Sequence, residues 1–354
     1  MKNKKIKKHL FLIHTEFHLL MLLSLIENNI NKQDEITIML SRKSDSNRFR
    51  FELNLKDLNF NLVELLDIDE KKSFIPLKAK HQINELLEID FDSYYSFLEH
   101  TGLNYLFVSR IASSTKICLL PEGTRPYISF NKAAIGSRIR QTLNNYKFLY
   151  KTGFPWYKLR IMSYKHGYLP ETNEIWIENK DVYPNYNHRK LRKVSIFLKT
   201  NQNFEKHKEL FKFNIEEELN INEDIILYLN HPYVVAEVYH LEIEILQKMR
   251  VKFPEKPIVI KLHPGPPSHQ IERFKTIENI VLNTSTKPAE LFIQGIKNSV
   301  VISFWSASLM MPNETCQYYW LYPLILKNIP EMYWWSMENP TSHIEAIDNL
   351  AEIN

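Results

Sequence analysis

Two ionisable side chains stand where apolar runs break off. Glu122 follows Lys116–Leu120 and sits between Pro121 and Gly123. His263 follows Ile258–Leu262 and precedes Pro264. In a doubly wound α/β domain, such a break marks the end of a strand and the start of the ligand crevice. A carboxylate there can take a proton from an attacking hydroxyl, and Gly123 lets the backbone turn with no side chain in the way. The plainer reading of Glu122 is a turn with an exposed glutamate. Pro264 disfavours a helical conformation at His263, so the imidazole can project into the crevice and donate to a phosphate oxygen. The plainer reading of His263 is a ring satisfied by a nearby carbonyl. Base and imidazole together suggest group transfer from a nucleotide-activated donor.

Other residues of the right type lie at similar breaks. Ser303, Ser306 and Ser308 end one apolar run and open a short helix. Hydroxyls and N–H groups at a helix start can hold an anion, or can simply cap the helix. Asn230 and His231 end the run Asp224–Leu229. His14 and His18 are four apart just after the first apolar run, but Glu16 is misplaced for H-E-x-x-H and no third ligand is evident. Their position fits substrate contact better than metal binding.

The elements that must position these groups alternate. A strand is expected at His9–Ile13, a helix from about Glu16 to Asn28, and a strand at Glu35–Leu40, which makes a βαβ unit and hence a parallel sheet. Phe60–Leu66, Tyr105–Ser109, Lys116–Leu120 and Glu174–Ile177 read as further strands, Leu77–Ile89 and Phe91–Thr101 as helices. A polar stretch at 179–188 reads as a linker. Beyond it come a strand at Asp224–Leu229, a helix at Val235–Phe253, a strand at Lys256–Leu262 and a short helix at Gln270–Thr276. A strand at Ile280–Leu282, a helix at Pro288–Ile296 and a strand at Asn298–Ser303 complete the pattern. The expected domains are 1–188, 189–330 and a helical segment 331–354 that packs back on the first domain.

A chain of 354 residues exceeds one ordinary core. Seven glycines, without G-x-G-x-x-G or a P-loop, exclude the common glycine-rich nucleotide cradles. Two cysteines, Cys118 and Cys316, exclude a disulfide framework and fit a reducing cytoplasm. The lysine-flanked run Leu10–Ile26 looks like a signal peptide, but His14, Thr15, Glu16 and His18 interrupt it and no cleavage site follows. No stretch reaches the ~18 apolar residues of a membrane span. Net charge is only +4, yet Gly123 to Pro170 holds no Asp or Glu and nine Lys or Arg, with Phe154, Trp156 and Tyr157 among them. That span reads as a solvated face, or as a surface for an anionic membrane or acceptor. No nucleic-acid motif accompanies it.

The order of motifs resembles the bacterial sialyltransferases and polysialyltransferases of the GT-B fold, which make lipooligosaccharide and capsule. The resemblance rests on Glu122-Gly123-Thr124, on Ile225–Pro232, on His263-Pro264, on Pro288-Ala289-Glu290-Leu291 and on Phe304–Leu309. It spans the second half well, roughly Asp224 to Met311, and the first half only at the acidic-Gly motif. It implies two Rossmann-like domains with parallel sheets facing a cleft. It implies that Glu122 is a general base, that His263 meets the phosphate of CMP, and that Ser306 and Ser308 bind phosphate or the sugar carboxylate. Donor contacts extend on this reading to Asn230, His231, Lys261, Pro264, Glu290 and Ser303. Acceptor contacts fall to His14, Thr15, His18, Gly123, Thr124 and Arg125. The family motif has two acidic residues before the glycine, whereas here the first is Pro121.

The expected activity is inverting transfer of sialic acid, or a related nonulosonic acid, from a CMP-activated donor to a hydroxyl of a surface glycan. Neither a metal nor another cofactor is expected. The expected location is the cytoplasm, with peripheral contact at the inner face of the membrane. A Kdo-like or UDP-sugar donor, or a non-catalytic glycan-binding protein, are the alternative readings.

Overall fold

The computed structural model describes residues 5–43, 60–130, 135–154, 163, 165–184, 190–194, 197, 203–221, 223–231, 236–263, 271–329, 335–339 and 341–353. The chain divides into two compact units, Met1–Ile196 and Phe197–Asn354.

The first unit is built on a parallel sheet of β1 (Lys8–Ile13), β2 (Glu35–Arg42), β3 (Phe60–Leu66), β4 (Ser93–Ser96), β5 (Lys116–Leu119), β7 (Glu174–Ile177) and β8 (Lys190–Lys193). A short strand, β6 (Ile128–Phe130), lies outside it. Strand order is β3-β2-β1-β4-β5-β7-β8. β1 is buried from His9 onward, as a strand covered on both faces must be. Its register sets Leu10 opposite both Thr37 and Tyr94. The chain builds outward from β1 through β2 to β3, then returns to place β4 on the other flank of β1. The gap between β1 and β4 is therefore the topological switch point, where such sheets bind ligands. Among the described residues its α-helices are α1 (Glu16–Asn29), α2 (Leu77–Leu87), α3 (Gly102–Arg110) and α4 (Ile135–Lys151). Leu10, Met39, Ile83, Tyr94, Phe107 and Phe148 lie within one core cluster.

The second unit repeats the plan with β9 (Ile226–Leu229), β10 (Ile258–Lys261), β11 (Ile280–Asn283), β12 (Val300–Ser303), β13 (Gln317–Trp320) and β15 (Ile344–Ala346), in the order β11-β10-β9-β12-β13-β15. β14 (Trp335–Met337) lies outside this sheet. All five pairings are parallel. Here the switch point lies between β9 and β12. Helices α5 (Phe204–Leu210), α6 (Ile215–Leu219), α7 (Ala236–Lys252), α8 (Ala289–Gly295) and α9 (Tyr322–Asn328) belong to this unit.

Several expectations change. Tyr105–Ser109 is helix, within α3, and Phe91–Thr101 contains strand β4. The α3 residues Gly102 to Phe107 are all buried, so no polar stripe betrays the helix. Where a helical segment 331–354 is expected, the described residues form two short strands, Trp335–Met337 and Ile344–Ala346, and a single 3₁₀ turn at Leu350–Glu352. Ile344–Ala346 pairs in parallel with β13, so the second sheet runs past residue 330. The first unit runs past residue 188, because Lys190–Lys193 pairs with β7.

Candidate functional site

The chemistry-bearing residues of each unit gather at the carboxyl ends of the central strands. In the first unit, the N–H of Leu120 bonds to the carbonyl of Ser96 at 2.8 Å, which carries β5 to the edge of Glu122. Gly123 takes φ +56°, a value an L side chain resists, and this permits the turn. The Arg125 N–H returns to the Glu122 carbonyl at 3.1 Å. The turn is also anchored by Tyr127, a buried ring whose hydroxyl accepts the N–H groups of Glu178 and Asn179 at 3.0 and 3.1 Å.

The Glu122 side chain is 30% exposed, and its Oε2 lies 3.7 Å from Arg125 Nη1. Burial pushes the carboxyl up to about 7, and the guanidinium pulls against that rise. A carboxylate so poised is matched to accept a proton near neutral pH.

Thr15 and His18 are engaged at the start of α1. The Thr15 hydroxyl accepts the His18 N–H at 3.1 Å, and His18 Nδ1 accepts the His14 N–H at 3.2 Å. The His18 ring stacks on Phe97, 4.2 Å between centroids and 2° from parallel. These two residues therefore shape the switch point, while His14 stays partly exposed beside it.

Two histidines that the sequence reading did not single out join this group. His100 follows β4, and Asn145 Nδ2 donates to its carbonyl at 3.1 Å. Burial, with the charges of Arg125 and His14, pushes its imidazole down to about 3. Burial and Arg125 do the same to His166, also to about 3. Both are neutral at physiological pH. The loop carrying His166 is held by Glu99, whose carboxylate accepts from Tyr168 N at 2.9 Å, Leu169 N at 3.3 Å and Thr172 Oγ1 at 3.0 Å. The signal for His100 is its place after β4, and the expectation of a helix at Phe91–Thr101 hides it.

In the second unit the expected donor residues separate into two groups. One faces inward. Asn230 Nδ2 donates to Glu242 Oε1 at 2.9 Å, and the same oxygen accepts from the Tyr228 hydroxyl at 2.6 Å. Arg273 pairs with the other carboxylate oxygen of this fully buried residue. The Lys261 ammonium donates to the carbonyls of Leu262 and Ser285 and lies over the Phe292 ring. Ser303 Oγ donates to the Leu229 carbonyl at 2.9 Å and accepts the Ser306 N–H at 3.1 Å. Ser308 Oγ donates to Glu290 Oε1 at 2.7 Å, and burial pushes the Glu290 carboxyl up while that bond opposes the rise. These side chains build the loops.

The other group is partly exposed: His231 after β9, His263 after β10 and Ser306 after β12, joined by Trp305, which lies outside the expected set. The His231 ring lies 5.7 Å from that of His263 and 5.1 Å from that of Trp305. Ser306 Oγ accepts the Ser308 N–H at 3.3 Å, so the capping role is real and its own O–H remains to donate. Two imidazoles, an indole and a hydroxyl thus converge at the second switch point. Pro264 lies outside the described residues.

A family model for alpha-2,8-polysialyltransferase (POLYST) matches residues 9–316. No curated protein matches the sequence. Among solved structures, S. aureus MnaA with UDP is similar at 12% identity and TM-score 0.52, over 86% of this chain and 76% of that one. UDP-GlcNAc 2-epimerase from Neisseria meningitidis with UDP-GlcNAc is similar at 12% identity and TM-score 0.51, over 85% and 79%. The GT-B domain of a sialyltransferase from Photobacterium damselae is similar at 10% identity and TM-score 0.50, over 88% and 89%. These likenesses show the fold, two parallel-sheet α/β units of the GT-B kind.

Proposed function

We infer that this chain, which belongs to the alpha-2,8-polysialyltransferase family and is a glycosyltransferase, moves sialic acid or a related nonulosonic acid from a CMP-activated donor to a glycan hydroxyl. The observation that carries this reading is Glu122, a carboxyl lifted to about 7 at a strand end beside a glycine turn. It takes the proton of the acceptor hydroxyl as that oxygen attacks the anomeric carbon of the donor sugar. The bond from that carbon to the phosphate oxygen breaks, the configuration inverts and CMP leaves. Charge grows on the departing phosphate, and His263, His231 and the Ser306 hydroxyl are the groups on the second unit that meet it. Arg125, His14, Gly123 and Thr124 fall to the acceptor side. The acceptor is a bacterial surface glycan such as lipooligosaccharide, O-antigen or capsule.

The test is a thermal-shift titration with CMP, UMP and UDP, followed by release of CMP from a CMP-activated sugar. CMP should protect where UMP does not. Changing His263 to Ala should weaken CMP protection without unfolding the protein. Protection by UDP, and not by CMP, in the same titration would move the donor to a UDP-sugar. Absence of turnover with any activated sugar would leave a glycan-binding protein.

A further inference from the structure

The acid-free span carries something that a solvated face does not need. Within α4, Ile135 is 69% exposed, Ile139 44%, Leu143 59% and Tyr150 75%. At 100° per residue these four fall within an arc of roughly 80°, and over about fifteen residue steps they form a stripe about 22 Å long. Arg140, Lys147 and Lys151 are exposed and project in an adjoining arc of roughly 40°. The helix holds four basic residues and no acidic one.

The stripe is fixed facing outward. Thr142, Asn145, Phe148 and Leu149 are buried on a different face, centred roughly 120° from the stripe and on the side away from the basic edge. Asn145 is bonded to the His100 carbonyl, and Phe148 lies so close to Gly102 that a Cβ there would stand 2.5 Å from its ring. Rotating the stripe inward would break that bond and that packing.

We propose that α4 is a docking helix for an anionic lipid bilayer, with Ile135, Ile139, Leu143 and Tyr150 entering the headgroup region and Arg140, Lys147 and Lys151 meeting lipid phosphates. Charge complementarity selects this occupant. An apolar stripe beside an all-basic edge is the pattern of helices lying in a membrane interface. An acidic glycan would use the basic edge and leave the aliphatic stripe in water. The proposal does not depend on the sugar or nucleotide assigned above.

Vesicle flotation tests it on the full chain. Wild type should float with vesicles of phosphatidylcholine and phosphatidylglycerol at low salt, and not with phosphatidylcholine alone. Replacing Arg140, Lys147 and Lys151 together by Gln should cut partitioning about 100-fold, at roughly fivefold per basic residue near an anionic surface. Replacing Ile139, Leu143 and Tyr150 together by Ser should cut it at least tenfold at unchanged charge, with the melting temperature kept because these side chains are exposed. Failure of the wild type to float with anionic vesicles overturns the proposal. So does undiminished flotation of the Ser variant. A wild-type dimer that becomes monomeric in the Ser variant assigns the stripe to a second copy and overturns it as well.

Discussion

Glu122→Gln should destroy turnover and raise stability, and the two effects should part with pH. The unfolded chain ionises Glu122 near 4.5, whereas the fold holds the proton until about 7. Wild type therefore loses stability as pH climbs from 4.5 to 7, and below 4.5 the group is protonated in both states. The difference of 2.5 pH units corresponds to about 3 kcal/mol for a sealed carboxyl. The side chain is 30% exposed, and solvent screening reduces the expectation to about 1–2 kcal/mol. Glutamine keeps the shape and never ionises, so it removes that cost. The variant should melt about 3–6 °C above wild type at pH 8 and level with it at pH 4. Turnover should fall ~10²–10⁴-fold, the range for loss of a general base. The assays are calorimetric melts across pH and CMP release at saturating donor. Equal melting at pH 8 would show that Glu122 is well solvated, and turnover within a few-fold of wild type would reduce Pro121-Glu122-Gly123 to a turn.

Arg125→Gln removes a guanidinium 3.7 Å from the carboxyl, and the acid limb of the kcat/KM profile should move up by about one pH unit. A limb that stays put or falls would remove Arg125 from the base's surroundings. Ser308→Ala leaves the buried Glu290 without its donor and should cost about 1–3 kcal/mol in the melt along with weaker CMP binding, whereas Ser306→Ala should weaken CMP binding with little change in stability. Glu242→Ala strands Tyr228, Asn230 and Arg273 and should destabilise the second unit by about 3–5 kcal/mol, read as an earlier unfolding transition. Transfer should persist in EDTA, and rescue of a chelator-treated sample by magnesium or manganese would refute the metal-free mechanism.

The parallel α/β plan was legible because strands covered on both faces leave apolar runs that stop at one polar residue, as β1, β5, β10 and β12 do. Where burial was complete around a helix the pattern failed. α3 is buried from Gly102 to Phe107, so its apolar residues look like a strand, while the aromatic residues of β4 sit among polar neighbours that suggest a helix. That one exchange concealed His100, whose meaning depends on following a strand. The inward or outward sense of a site residue was not legible either. Asn230 and His231 are adjacent in sequence, yet the first bonds to Glu242, 12 positions on, while the second stays partly exposed. Only the fold brings in the partner that decides.

The turn after β12 contains no glycine, so hydroxyl groups set its path. Ser303, Ser306 and Ser308 form a relay from the Leu229 carbonyl to Glu290, and each member holds the next in place. A glycine-rich phosphate loop keeps its shape in the main chain and leaves its side chains free to vary. Here the shape rests on side-chain oxygen atoms, and the proposed phosphate contact, Ser306, is one of them. Substitutions among the four should therefore be strongly non-additive, and a change at one should be tolerated only with a matching change at another. Re-engineering the turn would mean replacing these groups together.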